Sequence, residues 1–350
     1  MTLVINTIPV EELETFMACA RRMAKQGDKV SGAVVVYESA TGWDIIGKGA
    51  TAVEASNNPL AEADIIAIQQ AAQQLGAADL DGAILFSTTL PSNVAYASCW
   101  TSNIRNIIVD QDPVTKRDFA DFSLPVEQRS VSAQRFEPTK VAEARNIIFE
   151  WARRWPDDPL LSAMDTNNKA LPTSILGLTP PVFDSRLDKP LGSLPEIPEY
   201  LHRQFIEKAI GLSEAALERK SNGLPVGAPF GAVVVRMNTA GDWEVAGEGF
   251  NHVNEKLDVT SHGEIEAIRH FCESHDRELL KQSVIYTSCE PCAICYSVIK
   301  ETGIRRMYYG NGLQDTAQLF DLSGQYQWMS LPDARRCESF HEVCKRGAKI

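Results

Sequence analysis

Along the first hundred residues the apolar positions follow two rhythms. In "VEELETFMACARRMAKQ" and "AEADIIAIQQAAQQLG" they return every three to four residues and predict helices. "GAVVVYE", "GAILFSTT" and "IRNIIVD" are short β-branched runs that predict strands, with "WDIIGKGA" as the antiparallel neighbour of the first and a shorter helix up to "CWTSN". Between Trp155 and Pro198 the rhythm stops, and eight prolines punctuate a stretch that still carries "SILGL" and "PVF". Beyond it the earlier order returns. "YLHRQFIEKAIGLSEAAL" predicts a helix, "GAVVVRM" and "WEVAGEG" strands, "EIEAIRHFCES" a helix and "SVIYTS" a strand. A helix from Pro291 and a strand in "IRRMYYG" close the series.

The two series match residue by residue. Gly32 to Val36 corresponds to Gly231 to Val235, Ile65, Ala67 and Ile68 to Ile265, Ala267 and Ile268, and Ile104-Arg105 to Ile304-Arg305, all at an offset of about 200. An ordered set holding one offset across several elements identifies an internal duplication. Alternating helices and strands predict an α/β fold, a three-layer α/β/α sandwich in each half with a mixed sheet. The first two strands are antiparallel and the later ones are joined by helical crossovers. The expected division is residues 1–125 for the first domain, 126–196 for an ordered proline-rich connector and 197–350 for the second domain.

Composition narrows the class. At 350 residues and 44% hydrophobic the chain is long enough for two cores. It has no apolar run that would span a membrane and no export signal at "MTLVINTIPVEELETF", so a cytoplasmic location and no membrane partner are expected. The eight cysteines are then read as thiols rather than disulfides. A net charge of −12 weighs against broad attachment to nucleic acid, whose phosphates demand an excess of Lys and Arg. A local basic groove drawing on Arg305, Arg306, Arg335, Arg336, Lys345 and Arg346 stays open.

The candidate chemistry sits in the second half. "SHGEIEAIRHF" starts at residue 261 and "YTSCEPCAICYSVI" at residue 286. His262, Cys292 and Cys295 supply three soft ligands, the number that a catalytic zinc takes while keeping one position for water. The two thiols stand three residues apart, so at a helix start they share a face, and the helix dipole favours their deprotonated form. Pro291 suits a first helical turn. Glu264, two residues from His262, is placed to carry a proton rather than to bind the metal. His-x-Glu followed by Pro-Cys-x-x-Cys is the signature of zinc deaminases. A structural zinc with Cys289 as fourth ligand, or a cluster of core cysteines, are the plainer readings.

Residues 227–324 resemble the cytidine-deaminase-like superfamily, and most closely its guanine deaminases, through "APFGAVVV", "DVTSHGEIEAIR", "YTSCEPCAIC" and "LQDTAQLFD". The resemblance implies one zinc per chain in the second half, with no further cofactor, and substrate contacts from Asn251 in "GFNHVNE" and from Asp315 and Asp321. A carboxylate can accept from the donor face of a base, and Asn and Asp also simply favour turns. Gly263 stands where purine-directed relatives more often have Ala, as in fungal cytosine deaminases, so the base is left open. Phe230 and Tyr296 are candidate pocket walls. His252, His270 and His275 have no assigned task.

At the same offset the first half has Glu62 for His262, Asp64 for Glu264, Ser92 for Cys292, Ala95 for Cys295 and Thr51 for Asn251, while Pro91 still matches Pro291. It reads as a pseudo-deaminase domain without zinc. Members of the superfamily commonly pair, so an intramolecular contact between the two halves is expected, and a homodimer is allowed. The expected activity is hydrolytic deamination of a free nucleobase or related amino-heterocycle, guanine-like first. A tRNA or other nucleic-acid deaminase and a non-catalytic zinc scaffold are the alternatives.

Overall fold

The computed structural model describes residues 8–27, 31–110, 132–135, 194–224, 227–311 and 336–339. They form two compact units, each built on one five-stranded mixed sheet. In the first unit come α1 (Val10–Gln26), β1 (Gly32–Ser39), β2 (Gly42–Ala50), a short α2 (Val53–Ser56), α3 (Ala63–Leu75), β3 (Ile84–Ser87), α4 (Asn93–Thr101) and β4 (Asn106–Val109). Helix α1 starts after Pro9 with Glu11 and Glu12 in its first turn and ends with Lys25 in its last, which suits the dipole at both ends.

The two-residue period of β1 separates two cores. Val34 and Val36, with Ile84, Phe86 and Ile108, pack against Leu13, Phe16 and Met17 of α1. Ala33 and Val35, with Leu85 and Ile107, pack against Ala67, Ile68 and Ala71 of α3. The sheet therefore lies between two helical layers. Strand β1 is antiparallel to β2 and β3, whereas β3 and β4 run parallel, as the crossover through α4 requires.

The second unit repeats this plan with α5 (Glu199–Ser221), β6 (Gly231–Met237), β7 (Trp243–Phe250), a short α6 (Val253–Lys256), α7 (Gly263–Ser274), β8 (Ser283–Cys289), α8 (Ala293–Glu301) and β9 (Arg306–Asn311). Ile206, Ile210 and Leu212 of α5 cover Val233, Val235 and Tyr286 on one face. On the other face α7 approaches β7 so closely that a Cβ on Gly247 would fall 2.3 Å from the Ala267 carbonyl oxygen. In the first unit a Cβ on Gly47 would meet the Ala67 oxygen at 2.1 Å, so both halves need glycine there for the same reason. The leading strands even share an irregularity of register, between Val35 and Val36 and between Val234 and Val235.

Each sheet takes its fifth strand from outside its own repeat. Strand β10 (Arg336–Ser339) runs parallel to β4 at the edge of the first sheet, and β5 (Ser132–Arg135) runs parallel to β9 at the edge of the second. Neither "SAQR" nor "RCES" alternates apolar and polar residues, so the pattern of the sequence gives no sign of them. Most of the proline-rich connector lies outside the described residues. Among the described residues no helix is long and apolar enough to cross a membrane.

Candidate metal centre

Two helix starts and the strand between them bring the candidate ligands together. His262 is the N-cap of α7, in extended backbone at φ −78° and ψ 159°. Strand β8 leads to Cys292, the N-cap of α8, at φ −70° and ψ 175°. Cys295 follows in the first turn of that helix and is 1% exposed. The helix begins at Ala293, so Pro291 precedes the cap rather than occupying the first turn as the sequence suggested. Pro291 fits equally well there, because the residue before it and its own fixed φ are already extended.

The three side chains converge. His262 Nδ1 lies 3.4 Å from the sulfur of Cys292 and 3.4 Å from that of Cys295, and the two sulfurs are 3.7 Å apart. Tetrahedral zinc with its usual bond lengths needs about 3.8 Å between two sulfurs and about 3.6 Å between sulfur and nitrogen. The residues fit that ion, and among the described residues they are the cluster suited to hold a metal. The Cys295 thiol and the His262 imidazole hold the Cys292 thiol well below its ordinary range, against the burial that opposes them. Burial pushes Cys295 up, with the Cys292 charge adding to it. A bound cation reverses that second shift, since metal ligation requires thiolates.

Glu264 sits beside this cluster and is 5% exposed. Burial, and then the negative charge of Cys292, raise its carboxyl above the usual range. The Thr287 hydroxyl lies 3.2 Å from Glu264 Oε1 and 2.9 Å from the Cys289 carbonyl oxygen. With one proton to give, it serves one acceptor at a time, and a protonated Glu264 can return the bond. Thr287 was not visible as a site residue in the sequence, where it is one more β-branched strand position.

Asn251 is 6% exposed at the end of β7, and its side-chain oxygen accepts from the Val253 N–H at 3.1 Å. Its placement depends on Gly227, where a Cβ would fall 2.0 Å from Asn251 Oδ1. Asp315 and Asp321 lie outside the described residues. Tyr296 is 2% exposed and belongs to the interior, whereas Phe230 is partly exposed. Cys289 is buried at the end of β8 and is not part of the three-residue cluster.

The corresponding place in the first unit carries a helix cap. Ser92 is the N-cap of α4, and its side chain accepts from the Ala95 N–H at 3.0 Å. Such a cap contributes about 0.5–2 kcal/mol to helix stability. Cys292 makes no side-chain cap bond, which leaves its sulfur available to a metal. Thr51, in place of Asn251, shares a hydrogen bond of 2.8 Å with Ser31.

A chain of charges surrounds the segment from Asn251 to His262, and only its individual residues were legible in the sequence. His252 Nδ1 lies 2.8 Å from Glu255 Oε2, and Arg219 donates to both Glu255 oxygens at 2.9 and 3.0 Å. The His252 hydrogen bond is the main cause that holds the Glu255 carboxyl down at about 2. At the other end Arg269 donates to Thr260 Oγ1 at 2.6 Å, to Ser261 Oγ at 3.2 Å and to Glu266 Oε1 at 2.6 Å. Lys256 pairs with the second Glu266 oxygen.

The chain is similar in sequence to deaminases. Guanine deaminase of Bacillus subtilis (strain 168) is 34% identical over 143 residues, 41% of this chain and 85% of that protein. A tRNA-specific adenosine deaminase of Agrobacterium fabrum is 38% identical over 96 residues, 27% of this chain and 60% of that protein. Among solved structures, that of guanine deaminase from Bacillus subtilis matches at 33% identity and a TM-score of 0.31, covering 39% of this chain and 80% of the other. The family model for the cytidine and deoxycytidylate deaminase zinc-binding region matches twice, at residues 10–110 and 200–311. With both halves matched, the chain belongs to the cytidine and deoxycytidylate deaminase family of zinc-dependent hydrolases that cleave C–N bonds.

Proposed function

We propose that the protein deaminates a free nucleobase or related amino-heterocycle, guanine-like first, in the cytoplasm, with one zinc per chain. The observation that carries the reading is the His262, Cys292 and Cys295 cluster with the buried carboxyl of Glu264 beside it. The division of labour is residues 1–125 a domain without zinc, 126–196 a connector and 197–350 the catalytic domain, except that residues 132–135 join the second sheet and 336–339 the first, and the chain acts as a monomer or as a homodimer. Similarity to a guanine deaminase along most of that relative's length supports the choice of base.

When bound, zinc supplies a Lewis acid that makes a water acidic enough to attack the substrate at neutral pH. His262, Cys292 and Cys295 would hold it and leave one position open. Glu264 takes the proton that the water gives up and delivers it to the departing amine, so that water and the aminated ring become an oxo ring and ammonia. Its raised affinity for protons suits both halves of that task. The Asn251 oxygen already accepts from Val253 N–H, and its Nδ2 would offer a donor to an acceptor on the ring. Asp315 and Asp321 would accept from the donor edge of the base.

A tRNA adenosine is the second reading, favoured by the 38% identity to a tRNA-specific adenosine deaminase. The net charge of −12 favours the small substrate. Ammonia release from the zinc-loaded full chain across guanine, guanosine, cytosine, cytidine, adenine, pterins and tRNA separates them. Turnover of one free base is expected. Turnover of tRNA alone, with salt-dependent binding, would overturn the first reading.

A further inference from the structure

We infer that Arg269, together with Glu266 and Lys256, is a positioning device for the metal ligand His262 rather than a brace for the fold. The inference rests on the zinc site and is independent of which amine is the substrate. Arg269 stands two turns into α7 and reaches back to the two residues that precede His262, bonding the hydroxyls of Thr260 and Ser261. Its side chain is 16% exposed and that of its partner Glu266 is 10% exposed. Against the burial that would raise it, Arg269 and Lys256 hold the Glu266 carboxyl below its usual range, so a largely buried carboxylate sits between two cations. Planar, multiply donating guanidinium fixes both hydroxyls in one geometry, which a flexible ammonium does less well.

The chain carries its own control. In the first unit the five residues of the clamp, Lys256, Thr260, Ser261, Glu266 and Arg269, are replaced at the same offset by Ser56, Leu60, Ala61, Ile66 and Gln69. The backbone they would brace is nevertheless the same. Glu62 caps α3 at φ −77° and ψ 149°, close to the −78° and 159° of His262. The Ala52 N–H donates to the Ala61 carbonyl at 2.8 Å, as the His252 N–H donates to the Ser261 carbonyl at 2.8 Å. The helix begins the same way too, Ile66 N–H to Glu62 oxygen at 3.0 Å and Glu266 N–H to His262 oxygen at 2.9 Å.

Core positions between the clamp residues, Ile65, Ala67 and Ile68, are kept unchanged in both halves. The loop thus forms without the clamp, and the clamp is absent where the ligands are absent. What it adds is rigidity ahead of a ligand that must meet an ion to within a few tenths of an ångström, the role that groups surrounding a metal site commonly fill.

The test uses the full chain with Glu266→Ile and Arg269→Gln combined, which installs the first half's side chains without stranding a buried charge, and Arg269→Lys beside it. Zinc affinity is read by competition with a chromophoric chelator, with no substrate present, and stability by thermal unfolding of the metal-free proteins. The double variant is expected to unfold, metal-free, at the wild-type temperature and to bind zinc roughly 10- to 100-fold more weakly, with Arg269→Lys recovering part of the loss. Zinc affinity within twofold of wild type in the double variant would overturn the inference. So would failure of the metal-free double variant to fold, because that assigns the clamp to the fold. Neither result depends on the identity of the substrate.

Discussion

Glu264→Gln is expected to abolish ammonia release while leaving zinc bound. The substitution keeps the shape and volume of a side chain that is 5% exposed and removes only its ability to exchange a proton. General acid–base catalysis contributes roughly 10²- to 10⁴-fold, and here one carboxyl serves both as base and as acid, so the loss belongs at the upper end of that range. The fold is not expected to suffer. Burial already raises the Glu264 carboxyl, so its charged form is disfavoured in the folded chain at pH values above its folded pKa, and a neutral amide avoids that cost. Steady-state kinetics alongside metal analysis check the outcome. Activity within tenfold of wild type would remove Glu264 from the reaction, and loss of zinc along with activity would make it part of the binding site instead.

The second large effect is on the metal itself. Cys295→Ala is expected to strip zinc from the chain and end turnover with it. Structural zinc sites bind with roughly 10–16 kcal/mol, so each ligand of such a set carries on the order of 3 kcal/mol, and losing one weakens binding by more than about 100-fold. The fold should survive, because the first half has Ala95 at this position and still forms α4 with Ala95 fully buried. Elemental analysis of the purified variant reads the metal, and circular dichroism reads the fold. A folded variant that retains zinc would mean that Cys295 is not a ligand.

Much of the fold is legible in the sequence alone. Periodicity marked α1, α3, β1 and β6 because their apolar faces are long and regular, and the duplication followed from matches such as Gly32 with Gly231 that hold one offset of about 200 across several elements. That His262, Cys292 and Cys295 come together was legible because the sequence sets rare residue types at a spacing that suits two helix starts. Strands β5 and β10 were not, since four polar-rich residues at a sheet edge are held by backbone hydrogen bonds that any side chains allow. Arg269 escaped notice for a different reason. In sequence it is an ordinary helix cation, and its meaning comes from hydroxyls eight and nine residues earlier that only folding brings within reach. Pro291 shows the limit of boundary reading by two residues: the cap residue Cys292, not the proline, begins the turn.

On the proposed reading one half of the duplicated chain holds a working zinc centre where the other has a capped helix. Metal content of the full-length protein, measured beside its ammonia release, tests this most directly. One zinc per chain, with turnover that is lost on chelation and restored by zinc, is the result expected. Two zincs per chain, or turnover that persists in metal-free protein, would contradict it.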